Sequence, residues 1–302
     1  MSRLAFCGTI SRQFHEHSGE FHLGDNLVNN LSNSLDGQDK LEAKLAVVPD
    51  PQSSVRYELV GKVAVLAYNR PQSRNAWSVG SIVEMIAAIR SANADPAVGA
   101  IVLTGEGNTY CAGADRKEAP QYDAETGHRL TPATFTMGQG DNNWITLLAQ
   151  SKPFIVALNG PAVGIGATHT FAADIRIAAE SASFSFPFLR LGAMPECGAT
   201  ALLPRLIGAG RALDIMLRSA TVSAQEALNI GLVTAVYPDA DLRVQAIALA
   251  EQLANLPPLQ VKLTKRMLRV NTGVSDADAI MFNEGQAFIE LIKTLKREKP
   301  LS

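Results

Sequence analysis

The stretch PFIVALNGPAVGIGATHTFAADI, residues 153–175, constrains the fold more than any other. An unbroken apolar run is followed by Asn-Gly and then by Gly164 and Gly166. A short run of that kind, bounded by turn residues, reads as a strand covered on both faces. The glycines permit a tight exit and close backbone approach, and a helix begins near Gly166. The same order recurs in AIVLTGEGNTYCAGADRKE, residues 100–118. Buried strands alternating with helices predict an α/β fold with largely parallel sheets.

Flanking segments extend this pattern. GKVAVLAYN places Val63, Val65 and Ala67 at alternate positions, as in a strand, before Asn-Arg-Pro breaks it. WSVGSIVEMIAAIRSANAD has helical spacing, with Ser81 and Glu84 fitting a capping box. DIRIAAE is a further strand. Beyond Phe184 the chain becomes mostly helical. LLPRLIGAGRALDIMLRS reads as helices broken at Gly208 and Gly210, and VSAQEALNIGLV as a helix capped at Ser223 and ended at Gly231. DLRVQAIALAEQLANLPP is amphipathic to Pro257, and helical periodicity resumes from Leu259. Residues 1–53 differ, being rich in Asn, Ser, Asp and Gln, and read as a polar arm or a short appended helix. The division expected is an extension at 1–53, a core at 54–245 and a helical region at 246–302.

With 47% hydrophobic residues in 302, a substantial core is available. A formal net charge of −2 without a dominant basic patch argues against nucleic acid. The longest apolar stretches are too short and Gly-rich to span a bilayer. Cys7, Cys111 and Cys197 are sparse and odd in number, which suits free thiols in a reducing compartment, hence the cytoplasm. His15, His17 and His22 sit in the polar arm, where solvated histidines are the expectation and a metal site is not.

Both glycine turns can present backbone amides, since the first amides of a helix have no internal partner. Two amides converging on one point would form an oxyanion hole; phosphate binding and plain tight packing are the alternatives. LGAMPECGAT, residues 191–200, poses a separate question. Glu196 is one carboxylate among small apolar residues, a costly arrangement unless it is paired, exposed or used.

Taken in order, NRPQSRNAWS, AIVLTGEGNTYCAGADRKE, PFIVALNGPAVGIGATHTFAADIRIA, SASFSFPFLRLGAMPECGATALLPRLIG and SAQEALNIGLVTAVYP resemble the crotonase (enoyl-CoA hydratase/isomerase) superfamily over roughly residues 55–270. The resemblance implies a spiral of β-β-α units with a helical C-terminal region, assembled as a homotrimer or dimer of trimers. It also implies an acyl-CoA thioester substrate, with coenzyme A part of that substrate and no separate cofactor. The oxyanion-hole donors would be the backbone amides of Ala114 and Ile165, the latter standing where the family usually has Gly. Substrate and CoA contacts would come from Ala112, Gly113, Asp115, Arg116, Gly164, Thr168 and Phe188. The two positions that carry glutamates in hydratases hold Thr168 and Phe188 here. Glu196 matches the acid/base of Δ3-Δ2-enoyl-CoA isomerases, whose FxxPFxxLGxxPE pattern resembles FSFPFLRLGAMPE. Shifting a double bond with Glu196 as the single acid/base is therefore expected. Hydratase-like activity and a non-catalytic binding subunit are the alternatives. Phe184, Phe186 and Phe188 are expected either to keep the pocket dry or to be core. His169, Asp115, Asp174, Arg74 and Asn75 read as structural, and Cys197 as unactivated.

Overall fold

The computed structural model describes residues 53–117, 121–122, 129–130 and 143–298. All of them fall in the unit running from Pro49 to Ser302. The polar extension, with Cys7 and the three histidines, lies outside the described residues.

The strands are β1 (Val55–Val60), β2 (Val63–Tyr68), β3 (Ala100–Gly105), β4 (Gln121–Tyr122), β5 (Arg129–Leu130), β6 (Phe154–Leu158), β7 (Ala162–Val163), β8 (Ile175–Ala179), β9 (Ser183–Ser185), β10 (Thr221–Ser223) and β11 (Ala235–Tyr237). The helices are α1 (Val79–Ala94), α2 (Trp144–Gln150), α3 (Ile165–Thr168), α4 (Ala199–Ile207), α5 (Ala209–Leu217), α6 (Ala224–Asn229), α7 (Leu242–Ala254), α8 (Pro258–Asn271) and α9 (Ala277–Glu298). One sheet runs β1-β2-β3-β6-β8-β11, a second β10-β9-β7, and β4 pairs with β5. In the large sheet only β1 and β2 are antiparallel, joined at Gly61, whose φ is +56°. The units β6-β7-α3 and β8-β9-α4 each give their first strand to the large sheet and their second to the small one. That two-sheet winding is the expected β-β-α spiral.

Helix α1 buries Ile82, Met85, Ile86 and Ile89, the i, i+3, i+4, i+7 stripe of a helix laid on a sheet. Its cap differs from expectation. Ser78 is the N-cap: its hydroxyl accepts from Ser81 N, while Ser81 Oγ accepts from Ser78 N. Glu84 instead accepts from Ser53 Oγ and Ser54 N, tying the start of the unit to α1. Strand β2 shows no alternation in burial; all six residues are buried, because β1 and β3 flank it and both α1 and α7 pack against it. Gly208, at φ +86°, separates α4 from α5, but Gly210 lies inside α5 and breaks nothing. At α6 the Ser223 hydroxyl accepts from Glu226 N, and Gly231, at φ +81°, follows the helix.

The segment after Leu259 is two helices, parted near Gly273 at φ +96°. Helix α8 is moored to the sheet through Asp174. That carboxylate pairs with Lys265 at 2.6 Å and Arg269 at 2.9 Å, and its Oδ2 accepts from Phe154 N. Among the described residues no helix is long and apolar enough to cross a membrane.

Candidate active site

The two glycine turns meet through their backbones. Cys111 bridges Ala162 in parallel, with Val163 N donating to Cys111 O at 2.9 Å. Gly113 has φ +93°, and a Cβ on it would stand 2.7 Å from Val163 O. A Cβ on Gly166 would overlap the Cys111 carbonyl. Glycine is required at both points, one for conformation and clearance, the other for clearance alone.

Ala114 bridges Trp77 in parallel. Trp77 N donates to Gly113 O, and Asp115 N donates to Trp77 O, each at 2.7 Å. Amides alternate in direction along an extended strand, so the Ala114 N–H faces away from Trp77. Ala114 is exposed, and its amide donates to no described residue. In the second turn Gly164 holds φ +57°, ψ −124°, and its N–H donates to Ser185 O at 2.9 Å. Ile165 is the first residue of α3, so its amide has no partner within the helix. Its side chain is buried in the core and turned away from solvent.

Ala112, Ala114, Asp115 and Arg116 line one cleft of about 620 Å³, joined by Arg74 and Lys117. Asp115 faces the cleft but is committed to structure. It pairs with Arg70 at 2.8 Å, and its Oδ1 accepts from Lys117 N. Arg74, Arg116 and Lys117 pair with no carboxylate among the described residues, which leaves the cleft cationic on that side. Arg74 and Asn75 both adopt positive φ. Buried Asn75 donates to Glu106 O and Thr109 O and accepts from Arg70 N, so the NRPQSRNA turn is a clamp, as expected.

Ile165, Thr168, Phe188 and Glu196 lie outside that cleft. Ile165 adjoins it through the backbone contacts of the two turns. Thr168 is fully buried, and its hydroxyl has no hydrogen-bond partner among the described residues. Phe184, Phe186 and Phe188 are all buried in the core.

Glu196 precedes two successive left-handed residues, Cys197 at φ +56° and Gly198 at φ +74°. Gly198 is the N-cap of α4, which puts Glu196 two positions before the cap rather than in the first turn. The side chain is half-buried, and no described residue pairs with it. Desolvation raises its pKa. Cys197 is buried, and its thiol is pushed up to about 12 by burial and then by Glu196, so it is not an activated nucleophile. Burial, followed by the neighbouring Tyr110, Cys111 and Cys197, holds the Tyr68 hydroxyl well above its usual range.

A buried aromatic cluster escaped the sequence. Tyr68, Trp77, Tyr110 and Trp144 surround His169, which is wholly buried. The five come from separate elements with no shared spacing, so no local pattern announces them.

Against known proteins, residues 58–302 match the enoyl-CoA hydratase/isomerase family. A probable mitochondrial enoyl-CoA hydratase of Dictyostelium discoideum is 34% identical over 230 residues, 74% of this chain and 78% of that one. An enoyl-CoA hydratase of Bacillus anthracis superimposes with TM-score 0.69 at 31% identity, covering 81% of this chain and 93% of that one. A monofunctional enoyl-CoA isomerase of M. smegmatis gives TM-score 0.63 at 29% identity, over 76% and 99%.

Proposed function

The chain belongs to the enoyl-CoA hydratase/isomerase family, and within it we propose that this protein moves the double bond of a 3-enoyl-CoA to the 2 position. One observation carries the reading: Asp115 in the cleft is tied to Arg70, whereas the Glu196 carboxylate pairs with no described residue. Thr168 and Phe188 occupy the positions of the hydratase glutamates, and both are buried and uncharged. Glu196 is half-buried without an ion pair, with its pKa raised by desolvation. A carboxylate shifted toward neutrality is suited to taking a proton and returning it.

In this reading the Glu196 carboxylate removes a proton from C2. The C–H electron pair moves into the acyl chain, and negative charge gathers on the thioester oxygen. The amides of Ala114 and Ile165 donate to that oxygen, stabilising the dienolate more than the neutral thioester. The proton then returns from Glu196 to C4, leaving the C2–C3 double bond. Arg74, Arg116 and Lys117 offer charge for the phosphates of coenzyme A, which enters with the substrate; no separate cofactor is invoked. Exposed Leu268, Met281, Phe282 and Phe288 on α8 and α9 support a homotrimer or dimer of trimers. The free thiols of Cys111 and Cys197 support a reducing compartment, which we take to be the cytoplasm.

Hydration is the second reading, favoured by the names of the relatives. The test is to supply a 3-enoyl-CoA and follow 2-enoyl-CoA and 3-hydroxyacyl-CoA separately, with Glu196→Gln in parallel. The 2-enoyl product is expected, and Glu196→Gln should lose about 10³-fold or more in kcat. A dominant 3-hydroxy product, or a fully active variant, overturns the isomerase reading.

A further inference from the structure

Helix α3 is only four residues long and passes directly into a 3-10 turn, His169–Ala172. So short a helix cannot hold its own first turn through main-chain bonds alone. Main-chain bonds run from Ala167 N and Thr168 N to Gly164 O and from His169 N to Ile165 O, and side chains add to them. His169 Nδ1 lies 2.7 Å from Ile165 O, Thr170 Oγ1 donates to Ala167 O at 2.6 Å, and Trp144 Nε1 donates to His169 O at 2.9 Å. Arg176 reaches Ala173 O, and Arg269 reaches Ala172 O.

The bond to Ile165 O fixes the state of the imidazole. A carbonyl only accepts, so Nδ1 carries the proton and Nε2 is the acceptor. Tyr110 Oη stands 2.9 Å from Nε2 and Tyr68 Oη 3.2 Å. The ring stacks on Tyr110 with planes 11° apart and packs on Trp77 at a centroid distance of 4.4 Å. Trp77 is the residue whose N–H and C=O bracket Ala114. One buried ring therefore contacts the holders of both amides assigned to the oxyanion hole.

We propose that His169 is a positioning residue of this site: a neutral Nδ1–H imidazole that sets the aim of the Ile165 amide, and its separation from the Ala114 amide, without touching substrate. This rests on the reading of Ala114 and Ile165 as the thioester-oxygen donors. Burial, partly offset by the bond to Ile165, pushes the imidazole down to about 3, so the ring stays neutral at working pH.

The test uses three variants of the whole chain. The side-chain amide of Asn reaches the place of Nδ1, and that of Gln the place of Nε2. His169→Asn is expected to stay within threefold of the parent kcat. His169→Gln and His169→Leu should lose about 10- to 100-fold, the scale of a misplaced catalytic group, with KM within about twofold. A second readout is the carbonyl stretch of bound, unreactive hexanoyl-CoA labelled with ¹³C at C1. It should fall in the parent and in His169→Asn and return toward the free value in the other two. Tyr110→Phe, which removes the hydroxyl bond to Nε2 but keeps the stacked ring and Nδ1, should give a partial return even where His169→Leu does not fold. A Leu or Gln variant with the parent's kcat and carbonyl stretch overturns the proposal and leaves the donor assignment standing. Equal losses in all three, Asn included, reduce His169 to packing and overturn it too. No carbonyl shift in the parent overturns the donor assignment, and the proposal with it.

Discussion

His169 and Glu196 are both ionisable groups that burial pushes toward neutrality, in opposite directions on the pH scale. Their surroundings differ. His169 is wholly enclosed, and both ring nitrogens have partners. Glu196 is half-buried at the edge of a left-handed pair of residues, and no described residue satisfies it. A satisfied buried polar group specifies geometry, whereas an unsatisfied one retains free energy for an event that has yet to occur. On the proposed reading, the difference separates framework from chemistry more clearly than residue type does, since a histidine is usually suspected first.

The comparison can be broken at several points. The largest effect expected is the loss of turnover in Glu196→Gln, with no loss of fold. Glu196 titrates at a raised pKa in the native state, so the native protein holds its proton above the ordinary 4.5 and loses stability as pH rises beyond it. Thermal melting should show Glu196→Gln as stable as the parent or more so at pH 7, the advantage fading toward pH 4. A variant markedly less stable at pH 7 would mean that Glu196 is structural after all.

Next comes Gly166→Ala, which drives a methyl into the Cys111 carbonyl and separates the two turns. A loss of about 2–4 kcal/mol in denaturant melts is expected, accompanied by lost activity. An active variant of parental stability would show that the turns need not touch.

The histidine side of the comparison gives a pH slope of its own. Above pH 6.5 His169 is neutral folded or unfolded and adds no dependence. Below it the unfolded chain takes up a proton that the native chain refuses until about pH 3. Stability should therefore fall as pH drops through that window, by at most about 1.4 kcal/mol per unit from this group. His169→Asn should flatten the slope in chemical melts taken between pH 6.5 and 4. An unchanged slope would assign the acid sensitivity elsewhere. The smallest effect is that of Arg116→Ala, expected to raise KM for an acyl-CoA about fivefold, as for one exposed phosphate contact, with kcat unchanged. Equal KM for acyl-CoA and for an acyl-pantetheine lacking the nucleotide would remove Arg116 from the cleft's role.

What the sequence disclosed follows the same line. Glycine turns, strands and the odd carboxylate are local features, and they were legible at Gly113, Gly164 and Glu196. The box around His169 joins Tyr68 to Trp144 across the chain, and no window contains it. The capping error at α1 is of a milder kind. Ser78, Ser81 and Glu84 recur every three residues, so the pattern fits two registers; the bonds of Trp77 on either side of Ala114 hold the chain extended up to Ser78 and leave only the earlier one. Strand β2 was legible from Val63, Val65 and Ala67, but the burial of all six of its residues was not, because it comes from α1 and α7 packing against the strand.

The carbonyls from Ile165 to Ala173 are held by His169, Thr170, Trp144, Arg176 and Arg269. That stretch is in effect a cast, and its mould is drawn from α2, β8 and α8. Cut from the protein, the peptide would have no reason to keep its shape. On the proposed donor assignment, the Ile165 amide is set at the head of a segment whose far end is tied to β8 and α8. If that assignment holds, the placing of one nitrogen depends on elements whose sequences bear no mark of the reaction, as distant in the chain as Arg269.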